Sequence, residues 1–195
     1  MSRIVFIGAP GCGKSTLATE LFVNLKKKNI NCELITEWVR TDIHLHGPIS
    51  TIFEQYRTRM KQMEIEDAVP NNVDYIITDS GTLTPYFYAE LYCDHTVERQ
   101  RLVLQDMYKY FLDDLFLKRY DHIFYLPATH AYNSNKNILN DGTRFQTQNQ
   151  VDILDMHMSL MFEKLHKLTN VHTLNCDLDE RVEKVLKYIQ IPLDK

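Results

Sequence analysis

The sequence is short of positive charge, poor in cysteine and without a long apolar run, and each shortage removes a class of protein. Lys and Arg number 22 against 26 Asp and Glu, for a formal net charge of -4 and a pI of about 6.0. A protein that coats nucleic acid by charge carries a basic face; this balance gives none, although it leaves room for a local basic groove. The four cysteines, Cys12, Cys32, Cys93 and Cys176, are far apart and form no C-x-x-C pair. Neither a disulfide framework nor a zinc site is therefore expected. The thiols are expected to be reduced in a cytoplasm, the host's if the gene belongs to a phage. No stretch approaches the roughly 20 apolar residues of a membrane span. The first apolar run, Ile4–Ile7, is too short for a secretory leader and leads straight into glycines.

What remains is an ordinary composition: 195 residues, 44% apolar and 25% charged, enough for one domain with a sizeable core. No internal repeat or linker divides it, so residues 1–195 are expected to form one domain. Five short runs rich in β-branched or aromatic residues stand out: Arg3–Ile7, Cys32–Thr36, Tyr75–Thr78, His122–Leu126 and Val171–Asn175. Runs of this length and composition suit buried parallel strands. Between them lie helical periods. Lys14–Lys28 spaces Leu17, Leu21 and Leu25 four apart. Thr51–Val69 carries Ile52, Tyr56, Met60, Met63 and Ala68, and Thr96–Arg119 carries Val103, Met107, Phe111 and Leu115. Gln148–Leu168 and Leu178–Ile189 complete the series. Alternation of strand and helix predicts an α/β fold: a parallel sheet with helices on both faces. One segment breaks the alternation. Residues 128–150 are polar, rich in Asn and without an apolar period. They follow the fourth strand, and so leave the carboxyl edge where ligands bind in open α/β sheets. The segment is expected to be a lid.

Gly8-Ala9-Pro10-Gly11-Cys12-Gly13-Lys14-Ser15 fits G-x-x-x-x-G-K-[ST], with an apolar strand before it and an amphipathic helix after it. The chemistry needs each part. Glycines let successive N–H groups turn inward onto phosphate oxygens, and the opening helix adds unpaired donors and the positive end of its dipole. Gly8, Gly11, Cys12, Gly13, Lys14, Ser15 and Thr16 are the candidate phosphate-binding residues. Lys14 is expected to reach the β- and γ-phosphates of ATP, Ser15 to ligate Mg²⁺, and Thr16 to support the α-phosphate side. A GTPase should show N-K-x-D and a motor ATPase an apolar strand ending in Asp-Glu; the chain has neither. Its small size and lid favour a kinase.

Three features should meet the P-loop at the same sheet edge. Glu37 and Arg40 follow the second strand: a carboxylate there can take a proton from an acceptor hydroxyl, and the guanidinium can hold an anionic group of the acceptor. Asp79 ends the third strand, where it can serve the Mg²⁺ site with Ser15 or act as the base itself. Within the lid, Arg144 can stabilise charge on the transferring phosphoryl group, with Asp141 orienting it and Gly142 as hinge. Glu37 and Arg40 can equally form a surface ion pair, Asp79 a helix cap, and the lid motif a polar turn. Trp38 suits either core or acceptor stacking. Tyr86, Phe87, Tyr88 and Tyr92 suit a helix face in the core more than a nucleobase stack. His44 and His46, two apart, fall in a loop on this reading, and Lys26–Lys28 is a solvated helix end.

In order, GAPGCGKST, TEWVR, Gln62 to Glu66, TDSGTLTPYFYAELY, YDHIFYLP and DGTRF resemble the AAA_28 / NadR-type family of P-loop kinases, whose members include the ribosylnicotinamide kinase domain. The resemblance runs over nearly the whole chain. It implies a five-stranded nucleoside/nucleotide-kinase-like P-loop NTPase fold with Mg-ATP as donor. It also implies Glu37 and Arg40 on the acceptor side, Asp79 as the strand-three carboxylate and Arg144 as the lid arginine. The chain departs from the family at two places: Gly81 replaces a second acidic residue two after the strand-three Asp, and Tyr132 with an Asn-rich insertion replaces a tryptophan before the lid motif. Both fall on the acceptor and lid side. The expected activity is transfer of the γ-phosphate to a hydroxyl of a nucleoside- or nucleotide-like acceptor. Two alternatives stand beside it: a kinase for a hydroxymethylated pyrimidine in DNA, which would make DNA the substrate, and a non-catalytic or regulatory ATP-binding module.

Overall fold

A computed structural model describes residues 1–128, 145–165, 167 and 169–192. The five apolar runs are strands: β1 (Ser2–Ile7), β2 (Cys32–Ile35), β3 (Tyr75–Asp79), β4 (His122–Tyr125) and β5 (Val171–Thr173). Their ends shift by only a residue or two from the expected runs. The helices are α1 (Lys14–Lys27), α2 (Trp38–His46), α3 (Ile52–Asp67), α4 (Thr84–Tyr92), α5 (Glu98–Phe116), α6 (Gln148–Leu165) and α7 (Leu178–Tyr188). Every strand pair is parallel, in the order β2-β3-β1-β4-β5. β1 thus lies at the centre, with β3 on one side and β4 on the other.

Alternation along β1 divides the core into two layers. Ile4 and Phe6 face one way and pack with Leu17, Leu21 and Leu25 of α1 and Val185 and Leu186 of α7. Val5 and Ile7 face the other way and pack with Phe87 of α4, Phe111 of α5, and Met158 and Phe162 of α6. Each of these side chains contributes on the order of 1.5–3 kcal/mol by leaving water. Tyr86 and Phe87 belong to this core, as their helical spacing suggested.

Two expectations are corrected. His44 and His46 lie in the last turn of a helix, α2, and not in a loop. The segment shows no apolar period because its buried residue is Asp42, held by Arg57 Nη2 at 2.5 Å and His46 Nδ1 at 2.9 Å. Two residues apart on a helix, the imidazoles point about 200° from each other and cannot share an ion. The second correction concerns α3. Its buried face is not the Tyr56–Met60–Met63 stripe but Ile52, Gln55, Thr58, Arg59, Gln62 and Glu66, and Met60 is exposed. Tertiary partners make that polar face tolerable: Arg59 Nη2 lies 2.8 Å from Asp114 Oδ2, and Glu66 accepts hydrogen bonds from Tyr120 and Arg119. A capping box between Thr51 and Glu54 starts the helix.

Candidate active site

A cleft opens at the carboxyl ends of β1 and β3, the position where strand order reverses around β1. One wall is the P-loop. Gly11 and Gly13 sit at φ 81° and 93°, backbone that a side chain disfavours. Gly8 is needed for space, since a Cβ there would lie 2.4 Å from Leu126 O and 2.6 Å from Cys12 Sγ. α1 opens on Gly13 without a side-chain cap and without an acidic residue in its first turn. Its first amides and dipole therefore face the cleft as an anion site. Lys14 Nζ curls over the loop, 2.8 Å from Gly8 O and 3.1 Å from Ala9 O. Lys14, Ser15 and Thr16 line the cleft, while Cys12 is buried behind it.

The strand register carries Asp79 to this loop. Asp79 pairs with Phe6 across β3 and β1, and Ser15 Oγ donates to its Oδ2 at 2.5 Å. A hydroxyl and a carboxylate side by side form a hard oxygen pair of the kind Mg²⁺ takes together with phosphate oxygens. Among the described residues no cluster of three His, Cys, Asp or Glu side chains suits a metal. A phosphate-bound Mg²⁺ does not require one.

Glu37 joins them from the N-cap of α2. Its carboxyl is pushed above the usual carboxylate range, first by burial and then by the charge of Asp79; Lys14, a hydrogen bond with Ser80, and Arg40 pull it back. Those influences place Asp79, Lys14 and Arg40 each within electrostatic reach of Glu37, and Glu37 and Arg40 line the cleft. A carboxylate with a raised proton affinity suits proton transfer near neutral pH. Trp38 also stays off the cleft lining. It is half-buried and donates its backbone N–H to Gln62 Oε1 at 2.9 Å.

The rest of the cleft wall comes mainly from residues not singled out in the sequence, together with Tyr88 and Gln62, which were. Val39, Ile43, Ile49, Pro85 and Tyr88 give apolar walls, and α3 contributes Gln55, Thr58 and Gln62. Gln55 and Thr58 are each only 4% exposed, and Thr58 Oγ1 is buried with no hydrogen-bond partner among the described residues. The signal available was their spacing of three and four, which stacks them on one helix face. Phe145 and Gln146 close the cleft from the end of the polar segment, where Gln146 Nε2 donates to Tyr92 OH at 2.9 Å. Asp141 and Arg144, with most of the expected lid, lie outside the described residues.

A buried polar chain ties both carboxylates to the scaffold. Gln62 bonds Trp38 N, next to Glu37, and its Nε2 donates to Glu66 Oε1 at 3.2 Å. Tyr120 OH lies 2.9 Å from Glu66 Oε2 and accepts from Thr82 N at 2.9 Å, three residues after Asp79. Burial raises the proton affinity of Glu66, while Arg119 and Tyr120 oppose the rise. Gly81 lies in this turn at φ 60°, where a Cβ would come within 2.6 Å of Val5 Cγ2 and 2.7 Å of Tyr120 OH. In this chain the turn leaves no room for an acidic side chain at that place.

Comparison with known proteins gives a consistent outcome. A family model described as an AAA domain, AAA_28, matches residues 3–181. No curated protein matches. Among solved structures, a NadR protein in complex with NR has a TM-score of 0.71 at 17% identity, covering 100% of this chain and 53% of that one. The chain spans about half the length of the NadR chains it matches, 53% and 51%. Thymidylate kinase from Candida albicans matches with a TM-score of 0.71 at 15% identity, covering 97% of this chain and 91% of that one. Deoxyadenosine kinase from M. mycoides with bound dATP matches with a TM-score of 0.61 at 17% identity, over 97% and 100%.

Proposed function

The chain belongs to the AAA_28 family of AAA domains, and from that premise we propose that it is an ATP-dependent phosphotransferase, moving the γ-phosphate to a hydroxyl of a nucleoside- or nucleotide-like acceptor. One observation carries the reading: the P-loop and Glu37 line a single cleft, with Asp79 behind them hydrogen-bonded to Ser15 and a further wall of α2 and α3 residues beside them. A phosphate-binding module needs only the loop. A base facing Lys14, with buried Gln55 and Thr58 beyond it, serves a second substrate. The folds it resembles include kinases named for a deoxynucleoside and a nucleotide, which supports the acceptor class.

Roles follow from position. The P-loop amides, Lys14 and Thr16 hold the triphosphate. Ser15 and Asp79 would hold Mg²⁺, which when bound offsets charge on the phosphate oxygens. The acceptor hydroxyl attacks the γ-phosphorus as its proton passes to Glu37. The new P–O bond forms while the bond from the γ-phosphorus to the β-bridging oxygen breaks, and ADP leaves. Arg40 would hold an anionic group of the acceptor. Asp141 and Arg144 complete the proposal from the segment between β4 and α6, with Arg144 on the transferring phosphoryl group.

The test is incubation with γ-labelled ATP and a panel of ribo- and deoxynucleosides and their monophosphates. Label should move to one class of acceptor. If no panel member is labelled by a protein shown to bind ATP, the transferase reading is lost.

A further inference from the structure

Arg181 is the most deeply buried cation of the described residues, at 1% exposure, although no sequence pattern places it inside. It stands in the first turn of α7, next to Asp179 and Glu180. Acidic residues suit that end of a helix dipole; a cation there is opposed by it. Its guanidinium makes no ion pair among the described residues, and Nη2 is buried with no hydrogen-bond partner. A buried charge without compensation is costly, and structures retain one mainly where something supplies the opposite charge.

Its contacts point to the donor site. Nη1 donates to Cys12 O at 2.5 Å, inside the P-loop, and Nε donates to Cys176 O at 3.4 Å, just before α7. Nη1 would lie 3.2 Å from a Cβ at Gly13, and Leu178 Cδ2 would lie 3.1 Å from it. The carbonyl that Arg181 holds belongs to the same peptide unit as the Gly13 N–H. Drawing electron density toward that oxygen makes the N–H a stronger donor, as in any chain of hydrogen bonds.

We propose that Arg181 is a positioning residue of the donor phosphate site: it clamps the P-loop to the segment before α7, polarises the Cys12–Gly13 peptide, and takes its missing counter-charge from the bound polyphosphate. The inference rests on the reading that the P-loop binds phosphate. It adds a second layer to the cradle, a buried cation acting through the backbone beneath the cleft-lining Lys14.

Titration with inorganic tripolyphosphate and with ATP, each with Mg²⁺, tests it in wild type, Arg181→Met and Arg181→Lys. Both ligands should weaken alike in Arg181→Met, by about tenfold or more for the loss of a charged hydrogen bond, while the ligand-free protein keeps its cooperative melt. Arg181→Lys should fall between. In the tripolyphosphate complex the Gly13 amide proton should move upfield in both variants, a readout that a purely structural role would leave in place. Wild-type affinity together with an unmoved Gly13 resonance overturns the proposal. Should Arg181→Met fail to fold, Arg181→Lys decides it by the same two readouts. A wild-type protein that binds neither ligand sinks the P-loop reading itself, a distinct result.

Discussion

Gly81→Ala is the substitution whose cost the structure fixes best. The residue sits at φ 60°, and an added Cβ would meet Val5 Cγ2 at 2.6 Å and Tyr120 OH at 2.7 Å. Left-handed backbone costs a non-glycine residue about 1–2 kcal/mol, and overpacking a tight core adds about 1–3 kcal/mol. Val5 cannot retreat, because β1 is bonded on both sides. Tyr120 cannot retreat cheaply, because its hydroxyl holds Glu66 and Thr82 N. The sum is about 2–5 kcal/mol, and a chain of this size loses roughly 2–4 °C per kcal/mol. The melting temperature followed by circular dichroism should therefore fall by roughly 4–20 °C. Val5→Ala removes one of the two clashing groups, so the double variant should lose less than the two single losses added together. A Gly81→Ala protein that melts within about 2 °C of wild type, or strict additivity with Val5→Ala, refutes the reasoning.

Other outcomes are expected on the proposed activity and on pH. Glu37→Gln should abolish transfer and leave ATP binding intact, as measured by calorimetry; retained activity would move the base to Asp79. Because burial and Asp79 raise the Glu37 carboxyl, the acid limb of the kcat/KM profile should lie above the ordinary carboxylate range, about 4.3. An acid limb at the ordinary value would contradict that placement. Arg144→Ala should lower kcat more than ATP affinity, since its contact belongs to the transition state; a change in ATP KM alone would remove it from that role. Burial holds His122 and His172 below the ordinary imidazole value, and His172 also feels His122. Folding favours their neutral forms, so their stabilising contribution is full above about pH 6.5 and is lost as pH falls through the lowered folded values. Melting temperature should drop between pH 7 and 5, and less so in a His122→Gln/His172→Gln protein; equal drops would show that other groups drive the loss.

The sequence was legible where a single physical signal ruled. The strands announced themselves because buried parallel strands need continuous β-branched and aromatic runs. The P-loop did so because its glycines have no substitute. α1 and α5 followed from leucine, methionine and phenylalanine at helical spacing. Legibility failed where ion pairs replaced apolar contacts. α2 hides its one buried residue, Asp42, behind Arg57 and His46. α3 buries Arg59 and Glu66, whose partners Asp114 and Tyr120 lie some fifty residues away. No local pattern reports such pairing. Of the candidate residues, Glu37 and Asp79 could be placed near the P-loop because they sit at or just after strand ends. Gln55, Thr58 and Arg181 could not, since their meaning depends on which face of a helix turns inward.

The central place of β1 has a consequence for how this protein can change. The nucleotide side hangs from the strand with neighbours on both edges, the last part of the sheet to open in a local fluctuation. The proposed acceptor side hangs from α2 and α3, off the sheet and held largely by polar contacts. Hydrogen exchange should therefore be fast in α2 and slow in β1. On the proposed activity, a lineage could rework its choice of acceptor by altering one helical flap, at little risk to the P-loop.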